Sequence, residues 1–412
     1  MSTWSESGPR SVDEHRAAVA ALLPATGVER VGLEEAGGRV LAEDLVSAIS
    51  LPPFDNSAMD GYAVRAAEID GASEEKPAEL PVEGVIPAGP TELTPLAPGT
   101  ATRIMTGAPV PGGADAVVPV EWTDGGIERV AITRPAEPGA HIRWVGGDVV
   151  AGSVLLPAGT VLRAPQVALA AACGHPDLPV HRRPHVLVLS TGSELVAPGD
   201  PLAPGQIYES NGTMLAAAVR EAGATAEKLA FVPDDVEQFR AVLADKVSDG
   251  VDLVITSGGV SAGAFEVVKD AMTGHGVEFG KVAMQPGGPQ GCGRLELGDR
   301  SVAVVTLPGN PVSSMVSFEV FVRPALRAAA GYPDIDLPRV SARLDGGFTS
   351  IPGKRQFRRG VLDATAGTVS EIGTPASHLI GALAQADCLI DIPADDVEVA
   401  DGSAVTVWLL DA

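Results

Sequence analysis

With 412 residues, 45% of them hydrophobic but only 4% aromatic, the chain has the length of about two to four domains and a core built largely from Ala, Val and Leu. Its 53 Asp and Glu against 29 Lys and Arg give a net charge of −24, which excludes nucleic acid and anionic membrane surfaces as partners; an anionic substrate would need a local basic pocket. Cys173, Cys292 and Cys388 are odd in number and far apart, which excludes a disulfide scaffold and a CxxC knuckle. The opening MSTWSESGPRSVDEH carries no basic or apolar leader and no apolar run reaches the roughly 18 residues of a membrane helix, so a cytoplasmic protein is expected.

Ser11 and Glu14 have capping-box spacing ahead of a helix over 15–23 that Pro24 ends. Glu34 to Leu41 reads as one helical piece interrupted by Gly37 and Gly38. From about 72 to 160, Pro and Gly recur between the β-rich runs 82–86, 101–105, 116–119 and 127–133, the rhythm of small all-β modules. Pro165 to Cys173 reads as a short Ala-rich helix.

From His185 the pattern changes. Apolar strands at 186–189, 229–232, 251–256 and 302–307 alternate with helices at 211–222, at 235–247 and from 312 to 330, with Asn211 as N-cap of the first and Asp234 or Asp235 of the second. This alternation predicts a doubly wound, three-layer α/β domain whose ligand lies beyond the carboxyl ends of the strands. After Gly331, Tyr332 and Pro333, short strands at 339–344, 360–362, 388–392 and 404–410 predict a small terminal β-barrel.

Several segments carry candidate chemistry. In PPFDNSAMDGYA (Pro52 to Ala63), Asp55, Asn56, Ser57 and Asp60 crowd polar groups between Pro52, Pro53 and Gly61, with Phe54, Met59 and Tyr62 available to pin the loop. Either these side chains close an Asx-type turn on themselves or they present carboxylates. In DLVITSGGVSAG, Ser257, Gly258, Gly259 and Ser261 follow a strand and offer backbone N–H groups to a phosphate, although such loops are often plain turns. Glu194 in TGSEL and Asp234 in VPDD lie beyond two other strands; singly, a first-turn residue and a helix cap explain them equally well. With Asp60 and Asp148 they form a carboxylate set suited to Mg²⁺, phosphate and water. PGNP (Pro308, Gly309, Asn310, Pro311) places prolines at a helix start that Asn310 can cap. Lys354, Arg355, Arg358 and Arg359 in PGKRQFRRG are either a solvated strand edge or an anion site. The histidines show no metal-ligand spacing.

The spelling of PPFDNSAMDGYA resembles the signature of the molybdopterin molybdenumtransferase family, the molybdenum-insertion proteins of molybdenum-cofactor synthesis. The resemblance runs, in order, from the Asp60 loop to the Ser377–His378 pair and implies a multidomain α/β plus β chain. Its parts are an elongated linking domain (1–45 and 143–180), an inserted β-rich domain (46–142), a three-layer α/β/α molybdopterin-binding domain (181–330) and a C-terminal β-barrel (331–412).

The resemblance also implies the chemistry. Asp60, Thr106, Asp148, Glu194 and Asp234 match functional positions, and Glu266 stands where the family usually has Asp. Mg²⁺ is the expected cofactor, with Asp60, Glu194 and Asp234 as metal ligands. Ser257, Gly258, Gly259, Ser261, Lys281, Pro308, Asn310, Pro311, Lys354, Arg355, Arg359, Ser377 and His378 are expected around the substrate. Where the family often writes KPGKP, this chain has Gln285 and Gly288 in place of the lysines. The implied reaction inserts molybdate into adenylyl-molybdopterin with release of AMP; molybdopterin adenylylation and a non-catalytic molybdopterin scaffold are the alternatives. A homodimer that shares its active site between subunits is implied, with a molybdopterin adenylyltransferase as a partner.

Overall fold

The computed structural model describes residues 4, 8–90, 92–192, 194–232, 235–247, 250–258 and 267–410. The chain forms two compact units, one of residues 1–29, 38–42 and 179–412 and one of residues 30–37 and 43–178.

Helix α1 (Val12–Leu22) has the capping box that the sequence predicts: Ser11 Oγ accepts from the Glu14 N–H and the Glu14 carboxylate accepts from the Ser11 N–H. The segment 34–41 forms turns rather than the expected helix; the Gly37–Gly38 pair, with Gly38 at φ +75°, breaks helical propagation.

The second unit is β-rich. It contains the short pair β1 (Asn56–Ser57) and β7 (Ile142–Arg143), and a five-stranded sheet built from β2 (Gly61–Val64), β3 (Ala78–Ile86), β4 (Ala101–Ile104), β5 (Ala116–Pro119) and β6 (Arg129–Ile132). The strand order is β5–β2–β4–β3–β6, and Tyr62, Val64, Leu80, Val118, Val130 and Ile132 bury one face. Helix α2 (Ala164–Ala172) follows, beginning one residue before the predicted Pro165.

In the first unit, β8 (His185–Thr191) is followed by the small parallel pair β9 (Leu195–Val196) and β10 (Ile207–Tyr208) and by helix α3 (Asn211–Glu221). Then come β11 (Thr225–Val232), α4 (Val236–Lys246), β12 (Leu253–Ser257), α5 (Val267–Met272), β13 (Val277–Lys281), β14 (Met284–Gln285), β15 (Pro289–Leu297) and β16 (Arg300–Leu307). The sheet order is β11–β8–β12–β16–β15–β13, parallel through β16 and antiparallel over the last two strands. Strand residues alternate between two cores. Val186, Val188, Leu253 and Ile255 pack towards α1 and α3, while Leu187, Leu189 and Val254 pack towards α4 and α5. This is the three-layer α/β/α arrangement that the apolar strands predict.

The hairpin of β13 and β15 is not visible in the apolar pattern because glycines replace the side chains. Gly280 lies directly under Trp4, whose ring atoms would come within 2.5 Å of an added Cβ. The predicted helix over 312–330 is three pieces, α6 (Pro311–Ser317), a π turn (Phe318–Val322) and α7 (Arg323–Ala329). The chain ends in a barrel of β17 (Arg339–Asp345), β18 (Arg355–Asp363), β19 (Thr368–Glu371), β20 (Cys388–Ile392) and β21 (Ala404–Leu409), closed by pairing of β18 with β20. β14 joins it parallel to β18, with Met284 opposite Arg355 and Gln285 opposite Gln356. No described helix is long and apolar enough to cross a membrane.

Candidate functional site

A cleft of about 790 Å³ opens in the first unit, lined by the segment 281–289, the Pro308–Asn310 turn, Glu194, Ile207, Ser313, Gly353, Lys354 and Pro375–Ser377. It lies beyond the carboxyl end of β16, the position that the sheet topology predicts for a ligand.

Hydrogen bonds tie the strand-end loops together beneath it. Ser257, the last residue of β12, is buried; its hydroxyl accepts from the Asn211 carboxamide at 2.9 Å and lies 3.4 Å from the Pro308 carbonyl and the Ser314 hydroxyl. Gly258 has φ +99° and donates to the Leu307 carbonyl at 3.2 Å, and a Cβ there would sit 3.0 Å from the Thr191 carbonyl oxygen. Glycine is therefore required where two strand ends converge. Pro311 takes the first helical position, as expected. Asn310 occupies the N-cap position, but its side chain leaves the helix and donates to Ser377 Oγ at 2.8 Å, while the Val312 N–H donates to the Ser377 carbonyl at 3.1 Å. The Pro308–Pro311 turn and Ser377 therefore form one wall.

Lys281 at the end of β13 and Lys354 at the start of the barrel are exposed and make no ion pair among the described residues. Among the described lining residues the charged ones are Lys281, Lys354 and exposed Glu194, two cations and one anion in a chain of −24. Gln285 and Gly288 line the cleft as neutral residues, and the Gln285 carboxamide oxygen accepts from Gln356.

The arginines that follow Lys354 do not face this cleft. Arg355 forms a two-pronged pair with buried Asp391 at 2.8 and 2.6 Å and borders a separate cavity with Ser11 and Asp13. Arg358 is buried and bonded to Glu371, Gln356 and the Thr349 carbonyl. Arg359, also buried, donates to the carbonyls of Thr374 and Ala376 and so holds the segment that leads to Ser377. The strand-edge reading also fails, because β18 is flanked by β19 and β20. His378 is exposed beside Ser377 and does not line the cleft. Gly259, Ser261, Asp234 and Glu266 lie outside the described residues.

The second unit carries the other candidate carboxylates. Asp60 Oδ1 accepts from the Thr106 N–H at 2.7 Å and from the Thr106 hydroxyl at 2.9 Å. These bonds, the N–H first, hold the exposed Asp60 carboxyl below its ordinary range, and Arg103 adds to the effect. The two readings of the loop separate by residue. The Asn56 side chain donates to the Phe54 carbonyl and Ser57 closes a turn with Met59, whereas the carboxylates bond across the chain, Asp55 accepting from the Val145 N–H 90 positions away and Asp60 from Thr106 46 positions away. Tyr62 anchors the loop in the core, but Phe54 is 46% exposed and pins nothing. Gly61 is not needed for a turn. It is the first residue of β2, and a Cβ there would lie 1.9 Å from the Val118 carbonyl oxygen. Asp148 is exposed; its N–H donates to the Leu51 carbonyl at 2.9 Å.

No cluster of three or more His, Cys, Asp or Glu side chains suited to a metal forms among the described residues. That pattern still fits Mg²⁺, which is commonly held by one or two carboxylates together with water and substrate phosphate. Asp60 supplies an ionised oxygen donor already oriented by Thr106, with Oδ2 free of partners among the described residues.

Two residues to which the sequence assigns no part in the site complete the cleft's framework. Asn211, read as a cap, sits inside α3, with Ser210 at the cap position, and spends its amide on neighbouring loops. Glu209, 5% exposed, accepts from Ser190 Oγ at 2.8 Å and Lys228 Nζ at 3.2 Å. Burial alone would raise its pKa, but the bonds from Gly212, Ser190 and Lys228 outweigh it and keep the carboxyl low. Their one sequence signal is the polar ESN triplet before an apolar helix.

Three family models match in chain order: the MoeA N-terminal region (domain I and II) over residues 10–174, a probable molybdopterin binding domain over 187–328, and the MoeA C-terminal region (domain IV) over 341–410. Molybdopterin molybdenumtransferase 2 of Mycobacterium tuberculosis is 56% identical across 97% of this chain and 99% of its own length. The molybdopterin molybdenumtransferase of Haemophilus influenzae is 34% identical across 96% and 98%. Among solved structures, the molybdopterin biosynthesis MoeA protein of Pyrococcus horikoshii has a TM-score of 0.83 at 33% identity and covers 97% of this chain and 99% of that one. With three family models matched in order and a relative 56% identical across nearly the whole of both chains, this chain belongs to the MoeA family, the molybdopterin molybdenumtransferases.

Proposed function

We propose that this protein transfers molybdenum from molybdate into adenylyl-molybdopterin and releases AMP. The observation that carries this reading is the 56% identity, over nearly the whole of both chains, to a protein named for molybdopterin molybdenum transfer. The cleft chemistry agrees with it. Lys281 and Lys354, lining cations with no ion pair among the described residues, favour a polyanionic substrate in a strongly acidic chain. Ser257 and Gly258 form the floor for the pterin–phosphate end, and the Pro308–Pro311 turn with Ser377 forms the wall. Asp60, Asp148 and Glu194 orient water for cleavage of the phosphoanhydride, in which a P–O bond breaks and AMP leaves; Asp234 and Glu266 join them on the strength of the family pattern alone.

Mg²⁺ bound by Asp60, Glu194 and Asp234 would neutralise the phosphate oxygens as AMP departs. The molybdenum is then taken up by sulfur atoms of the substrate, so the protein needs no Cys or His cage for it. We further propose that the protein acts in the cytoplasm as a homodimer, supplied by a molybdopterin adenylyltransferase, in which the Asp60 region of one subunit serves the cleft of the other.

Incubation of the purified chain with adenylyl-molybdopterin, Mg²⁺ and molybdate tests the reaction. Molybdate-dependent AMP release is the expected result. ATP consumption with molybdopterin would instead indicate adenylation, and binding without turnover would indicate a scaffold.

A further inference from the structure

Asn211 is the first residue of α3, yet its side chain caps nothing. Its carboxamide nitrogen donates to Ser257 Oγ at 2.9 Å and to the Gly309 carbonyl at 2.6 Å. A carbonyl can only accept, so the nitrogen must face Gly309 and Oδ1 must point away from it. Behind it, Glu209 grips the start of the same helix, accepting from the Gly212 N–H at 2.5 Å and from Ser190 Oγ at 2.8 Å. One amide thus joins the start of α3, the end of β12 and the turn that follows β16. Because Asn211 holds Gly309, the neighbouring Asn310 is free to reach Ser377 on the barrel side of the cleft.

We infer that Asn211 is a positioning residue that assembles the cleft's floor and wall before the substrate arrives. This inference rests on the molybdenum-transfer reading for its substrate, adenylyl-molybdopterin. Without the clasp, the Pro308–Pro311 turn must be ordered at the moment of binding. The loss therefore falls on affinity and much less on the chemical step.

The test compares wild type, Asn211→Ala and Asn211→Asp in equilibrium binding of adenylyl-molybdopterin and in steady-state AMP release with molybdate. Asn211→Ala is expected to raise both Kd and KM about tenfold while kcat at saturation stays within about threefold. Asn211→Asp keeps the side chain's shape but turns a carboxylate onto the Gly309 carbonyl, and it should bind no better than Asn211→Ala. Ser257→Ala removes one of the two partners and should raise Kd by about two- to threefold; an unchanged Kd in that variant would count against the clasp even if the Asn211 variants fold poorly. Unchanged Kd and KM in Asn211→Ala, or a fall in kcat alone as from a reduced active fraction, would overturn the inference. So would wild-type affinity in Asn211→Asp. If wild type binds the substrate but molybdate releases no AMP, the transferase reading fails while the Kd comparison still decides the role of Asn211.

Discussion

Acid should loosen the amino-terminal helix through one histidine. His15 on α1 is fully buried between Trp4, with ring centroids 5.0 Å apart, and Phe321 of the π turn, at 4.7 Å. Neither of its ring nitrogens has a hydrogen-bond partner among the described residues. Burial, with a smaller push from Arg10, lowers its pKa from 6.5 to about 3. The folded state therefore keeps His15 neutral, while the unfolded chain takes up a proton below pH 6.5. The stabilisation is full above that value and is lost as pH falls towards 3. At 1.36 kcal/mol per unit the loss is about 2 kcal/mol by pH 5 and about 5 kcal/mol at the limit.

The consequence reaches the cleft, because the segment before α1 bonds the strand that ends at Lys281: the Arg10 N–H donates to the Lys281 carbonyl at 2.9 Å and the Ala283 N–H to the Arg10 carbonyl at 2.8 Å. Hydrogen exchange of the α1 amides and guanidinium unfolding, each followed from pH 8 to pH 5, measure the effect in wild type and in His15→Leu. The variant should show a stability–pH slope flatter by up to about 1.4 kcal/mol per pH unit over this window. Equal slopes in the two proteins would refute the assignment.

Four further outcomes follow from the geometry. Asp60→Asn should abolish molybdate-dependent AMP release with no change in unfolding midpoint, since the side chain is exposed; normal turnover would remove Asp60 from the mechanism. Arg355→Met should cost about 3 kcal/mol in urea unfolding, because it strands Asp391, which also accepts from the Trp408 indole, without a counter-charge. It should leave the KM for substrate unchanged, whereas Lys354→Ala should weaken substrate binding with little loss of stability. Gly288→Lys should tighten molybdate binding several-fold at low salt and less at high salt, since a Cβ there meets nothing closer than 3.6 Å; binding insensitive to the added charge would show that the oxyanion sits elsewhere.

The sheet was readable because its strands are buried on both faces and their apolar runs need no context, and the Ser11–Glu14 box because its partners are three residues apart. Of the barrel strands, β19 carries no recognised signal and β18 is legible only over 360–362: it begins at Arg355, and the Lys-Arg-rich half of that strand does not look like a buried one. Arg358 and Arg359 are buried and Arg355 half-buried only because Asp391, Glu371 and the 374–376 carbonyls neutralise or bond them, partners that no local pattern announces. Asn211 was misread for the same reason. Asn before an apolar helix is a good cap, but Ser257 and Gly309 lie 46 and 98 positions away and compete for its amide more effectively. The β13–β15 hairpin was missed because close approach of Trp4 and of neighbouring backbone demands glycine where β-formers would mark a strand.

Subunit complementation tests the shared-site account most directly. Asp60→Asn and Glu194→Gln chains, each inactive alone, are mixed under conditions that allow subunits to exchange, and molybdate-dependent AMP release is measured. If Asp60 of one copy serves the cleft of the other, half the dimers carry one intact site and activity recovers to about a quarter of wild type. No recovery on mixing, with exchange verified, would contradict the account.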